Sequence, residues 1–267
     1  MIMNNLVSLP ELYSYALITY IAVAGVLWLL HRFGRDDLLL PVAAMNYMLL
    51  LTISQYTASK IGAFVGPMVI PMGVFTYSAS VAMLDFLTLR YGRRVGYWVV
   101  RIAAYLQALI FIINWLVIAY PPASFWQGGL QGAFASIMGT SARIAIASIT
   151  AFLISETYDV YLVSRLRGGV LRRVGYSDPV AMTIDTLVFI PIAFYGIVPN
   201  IWLLMASQLT VKLSLVPMTM LAVWINRKAL QYGLATQPTP SGQVSDQCMN
   251  IFSLIRTTFQ VFREITH

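Results

Sequence analysis

Five ionisable side chains stand where their neighbours are apolar enough to lie inside a bilayer: Asp85, Glu156, Asp159, Asp185 and Lys212. A charge at that depth is costly. Chains keep one there for a solute path, a proton relay or an internal ion pair. Glu156 and Asp159 are spaced i, i+3, so a helix puts both carboxylates on one face. Two kinds of chemistry compete. In the first, the charges are structural or gating groups: Asp85 pairs with Arg90 or Arg101, Asp159 with Arg165, and Arg101 and Arg143 snorkel to an interface. Lys60, at the end of an apolar run, belongs with this set. In the second, the deeper groups Glu156, Asp185 and Lys212 hold a small polar solute, or Lys212 forms a buried pair with a carboxylate. Enzymatic chemistry has no visible basis. His31 and His267 lie outside the apolar runs and Cys248 is alone in a polar tail, so no metal set, no Ser–His–Asp triad and no Cys–His pair can be drawn. No GxxxxGK[ST] loop is present, so the chain is not expected to hydrolyse ATP itself. Neither a metal nor a cofactor is expected.

The elements that must position these charges are membrane helices. Of 267 residues, 59% are hydrophobic and 10% charged, against about 25% charged in a soluble domain. Mean hydropathy is +0.75. A spanning helix needs about 20 mostly apolar residues. Seven segments meet that length: Leu12 to Leu30, Leu38 to Tyr56, Met68 to Leu89 with Pro71 inside it, Tyr97 to Tyr120, Ser141 to Ser164, Pro179 to Val198, and Ile201 to Ile225. The first is too long for a signal-peptide core and lacks a basic flank, so it is read as retained. The Gly- and aromatic-rich linker from Pro121 to Thr140 is expected to hold an interfacial or re-entrant piece. QPTPSGQVSDQ reads as a flexible linker. Beyond it, residues 249–266 space Ile251, Leu254, Ile255, Phe259 and Phe262 as an amphipathic helix lying on the membrane. The net charge of +7 does not point to nucleic acid, because the arginines fall in short connections. Arg32 and Arg35, then Arg90, Arg93 and Arg94, then Arg165, Arg167, Arg172 and Arg173, and finally Arg227 and Lys228 fall on one side. The positive-inside rule puts that side in the cytoplasm, the N-terminus outside and the C-terminus inside. The expected fold is an all-α, multi-pass protein of the cell (inner) membrane, with the bilayer as its solvent.

Several stretches carry a resemblance to a known family. SQYTASK closes the second segment at Lys60. LDFLTLRYG supplies Asp85, Thr88, Tyr91 and Gly92. ARIAIASITAFLISETYDVYLVSRLR supplies Arg143, Ala147, Ser148, Ala151, Asp159, Val160, Arg165, Leu166 and Arg167. SDPVAMTIDTLVFIPIAFYG supplies Ser177, Asp185, Thr186, Phe189, Ala193 and Phe194. Gln208 and Lys212 complete the pattern. From Leu38 to Ile225 the chain resembles the queuosine-precursor transporters, also called the vitamin-uptake family. Four positions depart from that family's pattern: Met182 replaces an amide, Glu156 a glutamine and Val216 a glutamate, while Leu89 and Arg90 stand where a charge usually sits one turn beyond Asp85.

The resemblance implies a six-helix transporter core over residues 38–228. An extra N-terminal helix and first cytoplasmic loop would occupy 1–37, and a cytoplasmic tail 229–267. It further implies import of a 7-deazaguanine base, such as 7-cyano-7-deazaguanine, 7-aminomethyl-7-deazaguanine or queuine, for tRNA modification. A guanine-like edge offers adjacent N–H donors that a carboxylate accepts in bidentate fashion, a role for Asp185 or Glu156. Asp159 or Glu156 would pair with an aminomethyl cation. Asn46, Ser148 and Gln208 would serve the remaining polar edge, and Phe189, Phe194, Tyr158 or Tyr195 would stack on the base. The alternative is a membrane substrate-binding subunit for a vitamin or purine-like solute that needs a separate energising ATPase partner.

Overall fold

A backbone N–H or C=O left unpaired in hydrocarbon costs several kcal/mol, so a chain this apolar satisfies its backbone inside helices. The computed structural model describes residues 9–63, 68–123, 126, 129–139, 142–196 and 198–233, all within one compact unit. In order the elements are α1 (Leu9–Arg32), a 3₁₀ turn (Asp36–Leu38), α2 (Leu39–Ala58), β1 (Ile61–Ala63), β2 (Val69–Pro71), α3 (Val74–Tyr91), α4 (Arg93–Ala119), α5 (Gly129–Met138), α6 (Ala142–Arg165), α7 (Val170–Phe194) and α8 (Ile201–Ala229). Six of these, α1, α2, α4, α6, α7 and α8, are long and apolar enough to cross a membrane. α4, with 27 residues, extends about 40 Å. Large side chains on its surface, among them Ile112, Trp115 and Leu116, are exposed and suit a lipid-facing wall. The protein is an all-α polytopic membrane protein.

α3 is the inner helix. Everything in it from Ser78 to Leu89 is buried. It packs against α1, α2, α4, α6 and α8. Glycine sets two of these approaches. A Cβ on Gly73 would lie 2.2 Å from the Ser54 carbonyl oxygen, so the start of α3 meets α2 backbone to side-chain-free backbone. Gly92, at φ +89°, turns the chain from α3 into α4. The most extensive helix contact joins α6 to α7, followed by α7 to α8. α1 is tied to α8 at its far end, where Trp28 Nε1 donates to Asn226 Oδ1 at 3.0 Å.

Two sequence expectations change. The third segment does not start as helix at Met68. Val69–Pro71 pairs antiparallel with Ile61–Ala63, and the helix begins only at Val74. Pro71 fits the end of an edge strand, where its missing N–H costs no ladder bond. The sixth segment starts nine residues before Pro179, at Val170, so Pro179 and Pro191 both lie inside α7. Neighbouring helices make such prolines tolerable. The Gly-rich linker contains the ten-residue helix α5, which packs on α4, with Gln131 Nε2 donating to the Ile118 carbonyl at 3.2 Å. The amphipathic helix expected at 249–266 lies outside the described residues.

Candidate functional site: a polar pocket above a buried carboxylate cluster

The inward faces of α2, α3, α6, α7 and α8 enclose a pocket at the end of the bundle that carries the β1–β2 hairpin. Its empty space, counting the open mouth, is ≈ 610 Å³. α2 contributes Leu51, Ser54, Gln55 and Ala58. The hairpin and the start of α3 contribute Pro71, Gly73, Val74 and Tyr77. α6 adds Ser148 and Phe152, α7 adds Asp185 and Phe189, and α8 adds Gln208 and Lys212. Lys212 Nζ pairs with Asp185 Oδ2, and both residues are buried. The ammonium also lies 4.6 Å from the centre of the Tyr77 ring, a cation–π contact. Gln55 Nε2 reaches Ser148 Oγ at 3.5 Å. Gln208 Oε1 is buried and accepts no hydrogen bond among the described residues. The pocket therefore offers one ion pair, two amides, two serine hydroxyls and a phenol between the rings of Phe152 and Phe189.

A second polar layer lies two helical turns away. Seven residues on from Ser78, Phe152 and Lys212 stand Asp85, Asp159 and Thr219, and seven before Asp185 stands Asp178. That spacing returns to the same helix face about 10 Å along the axis. Carboxylate oxygens of Asp85, Asp159 and Asp178 lie within 4.8 Å of one another, and all three residues are fully buried. Thr219 Oγ1 donates to Asp178 Oδ2 at 2.6 Å, and Ser177 Oγ to Asp178 Oδ1 at 3.5 Å. Both oxygens of Asp85 and both of Asp159 lack a hydrogen-bond partner among the described residues. Glu156 stands between the layers: its Oε1 accepts from the Tyr77 hydroxyl at 2.9 Å.

The expected site residues are distributed unevenly. Asp185, Lys212, Ser148, Gln208 and Phe189 meet in the pocket. Phe194 packs edge-on against Phe189 with ring centres 5.8 Å apart and does not line it. Asp159 belongs to the deeper layer and Glu156 lies between the two. Asn46 turns to α1, where its Nδ2 donates to the Val23 carbonyl at 3.3 Å. Tyr158 is 43% exposed and packs on Tyr161, away from the pocket. The expected ion pairs of Asp85 with Arg90 or Arg101, and of Asp159 with Arg165, are not among the contacts of the described residues. Arg101 instead lies over Trp98, Arg165 over Tyr161 and Arg90 over Tyr91 and Tyr232. Lys60 is exposed and its carbonyl accepts from Met72 N at 2.9 Å, closing the hairpin. The side chain of Arg143 lies outside the described residues. Four participants were not singled out from sequence: Gln55, Phe152, Tyr77 and Asp178. The last had a readable signal, since it stands two turns before Asp185 on the same face of any helix that includes both.

A polytopic helical membrane protein with a polar pocket buried among its spans is the architecture of a solute-handling membrane protein. Comparison with known proteins gives the family: the chain belongs to the one described as "Putative vitamin uptake transporter", whose profile matches residues 71–225. It is also 30% identical over 142 residues to a protein of Bacillus subtilis (strain 168) named "Probable queuosine precursor transporter". That match covers 49% of this chain and 60% of the relative. No solved structure matches the chain.

Proposed function

We propose that the pocket binds a 7-deazaguanine base, a queuosine precursor, and that the chain imports it across the cell membrane without an ATPase of its own. The reading rests chiefly on one observation: Asp185, paired with Lys212, faces the same space as the unpartnered Gln208 Oε1, between Phe152 and Phe189. A carboxylate and an amide oxygen accept the N–H donors of a guanine-like edge, Lys212 and the Gln55 amide donate to its carbonyl side, and the rings hold the base plane. The family and the relative's name support the same class of solute. The core over residues 38–228 would carry this activity. The basic connections would face the cytoplasm, which opens the pocket mouth to the outside, where an importer collects its substrate.

Complementation tests the reading. Cells that cannot make the precursor and lack their own importer are given this chain, and queuosine is measured in their tRNA. Restored queuosine, lost on Asp185→Asn, is expected. Well-inserted protein that restores none would contradict it. Co-purification of an ATPase module, with uptake only in its presence, would favour the binding-subunit alternative.

A further inference from the structure

We propose that Asp85, Asp159 and Asp178 form a site for a small hard monovalent cation, H⁺ or Na⁺, and that its charge state is linked to the pocket through Glu156 and Tyr77. The three carboxylates come from α3, α6 and α7, and their oxygens converge within 4.8 Å. Three like charges that close, fully buried in a membrane interior, require positive charge among them. No lysine or arginine among the described residues supplies it: their salt bridges involve His31, Arg35 and Lys212 only. One oxygen of each carboxylate converges on this space, and both oxygens of Asp85 and both of Asp159 lack a hydrogen-bond donor among the described residues. A second observation comes from α1 and α2. Tyr20, 95% buried, stands beside Ser78 and near Asp178 and Asp85, while on α2 Tyr47 is fully buried, its hydroxyl has no hydrogen-bond partner among the described residues, and it stands close enough to Asp159 and Glu156 to feel their charges. With the Thr219 and Ser177 hydroxyls, the lining is oxygen throughout, a donor set that suits hard cations and not zinc or copper.

The groups that face the cluster from the surrounding elements are Tyr20 of α1, Tyr47 of α2, Glu156 of α6 and Tyr232 after α8. Arg90 and Arg227 act on Tyr232 from the bundle's basic end. Glu156 senses Asp159, Asp178 and Asp185 together, and Tyr77 joins it to the ring face on which Lys212 rests. Loading or releasing the cation therefore alters the field at the Asp185–Lys212 pair. This linkage rests on the transport reading, whereas the cation site does not.

The test uses the full chain in lipid nanodiscs. Radioactive Na⁺ binding is followed by scintillation proximity, and protonated-carboxyl infrared bands are followed through pH steps. Saturable Na⁺ binding displaced by acid identifies Na⁺, whereas no Na⁺ binding with a carboxyl band that titrates identifies H⁺. Na⁺ binding should fall at least tenfold in Asp178→Asn and Asp159→Asn and stay in the exposed Asp36→Asn; in the H⁺ case each of the two cluster variants should lose one carboxyl's share of the band and shift the pH at which the remainder titrates. If those variants do not fold, Thr219→Val should weaken the same signal several-fold while staying folded. Folded Asp178→Asn and Asp159→Asn variants identical to wild type in both measurements would overturn the site, as would a tightly retained divalent ion. Cation binding without uptake of any deazaguanine would leave the site standing and refute the transport reading alone.

Discussion

Asp185 and Lys212 are worth most to each other. A buried pair left with one member holds an uncompensated charge, at a cost of about 3–5 kcal/mol. Lys212→Met should therefore lower the unfolding midpoint in detergent sharply, and Asp185→Asn added to it should recover much of the loss without restoring ligand binding. Gln208 predicts the opposite split. Its Oε1 has no partner to lose, so Gln208→Leu should leave stability nearly unchanged. It should weaken binding of 7-cyano-7-deazaguanine roughly tenfold, the value of about one hydrogen bond. Titration calorimetry and a thermal melt on the same sample would check both. These roles were partly legible. Asp185, Lys212, Ser148, Gln208 and Phe189 stand out as polar or aromatic residues in matched stretches. Asn46 and Tyr158 stand out equally in sequence yet turn elsewhere, because polar and apolar residues alternate around α2 and α6 without one clear stripe, so their inward faces cannot be read from pattern alone.

The helices determine which of these side chains can meet. Their lengths and most of their ends follow from apolar runs bounded by Arg and Gly, which is why the spans are readable. Where an apolar run crosses a turn, the pattern is silent: Val69 to Pro71 is as hydrophobic as a helix, yet forms a strand before α3. Pro179 looks like a first helical residue, a good rule in water, but α7 runs through it, and that shift brings Asp178 into the core. Gly73 tests the element scale most sharply. In Gly73→Ala the new methyl meets the Ser54 carbonyl at 2.2 Å, and backbone has nowhere to swing. The substitution should cost about 1–3 kcal/mol as overpacking and displace the start of α3, where Tyr77 and Val74 line the pocket. A lowered melting temperature together with lost ligand binding would show it; a stable, fully binding variant would not fit.

At the scale of the molecule, Arg90 and Arg227 of the described residues meet around Tyr232 at one end of the bundle. Tyr232, just past α8, receives Arg90 from the end of α3 over its ring at 5.4 Å, and Trp28 near the end of α1 bonds Asn226 near the end of α8. Those contacts bring the Arg90, Arg227 and Arg32 ends together, opposite the pocket mouth. If that end faces the cytoplasm, as proposed, Cys248, the chain's single cysteine, should react with a membrane-impermeant maleimide only after the membrane is opened. Labelling of intact cells would reverse the orientation and turn the pocket inward. The central claim is that the pocket between α2, α3, α6, α7 and α8 takes a deazaguanine base. Its most direct test is equilibrium binding of radiolabelled 7-cyano-7-deazaguanine to the purified full chain, in wild type and Gln208→Leu. The account predicts saturable binding to wild type, competed by 7-aminomethyl-7-deazaguanine, and weakened about tenfold in the variant. Saturable binding that Gln208→Leu leaves untouched, or no binding to folded wild-type protein, would contradict it.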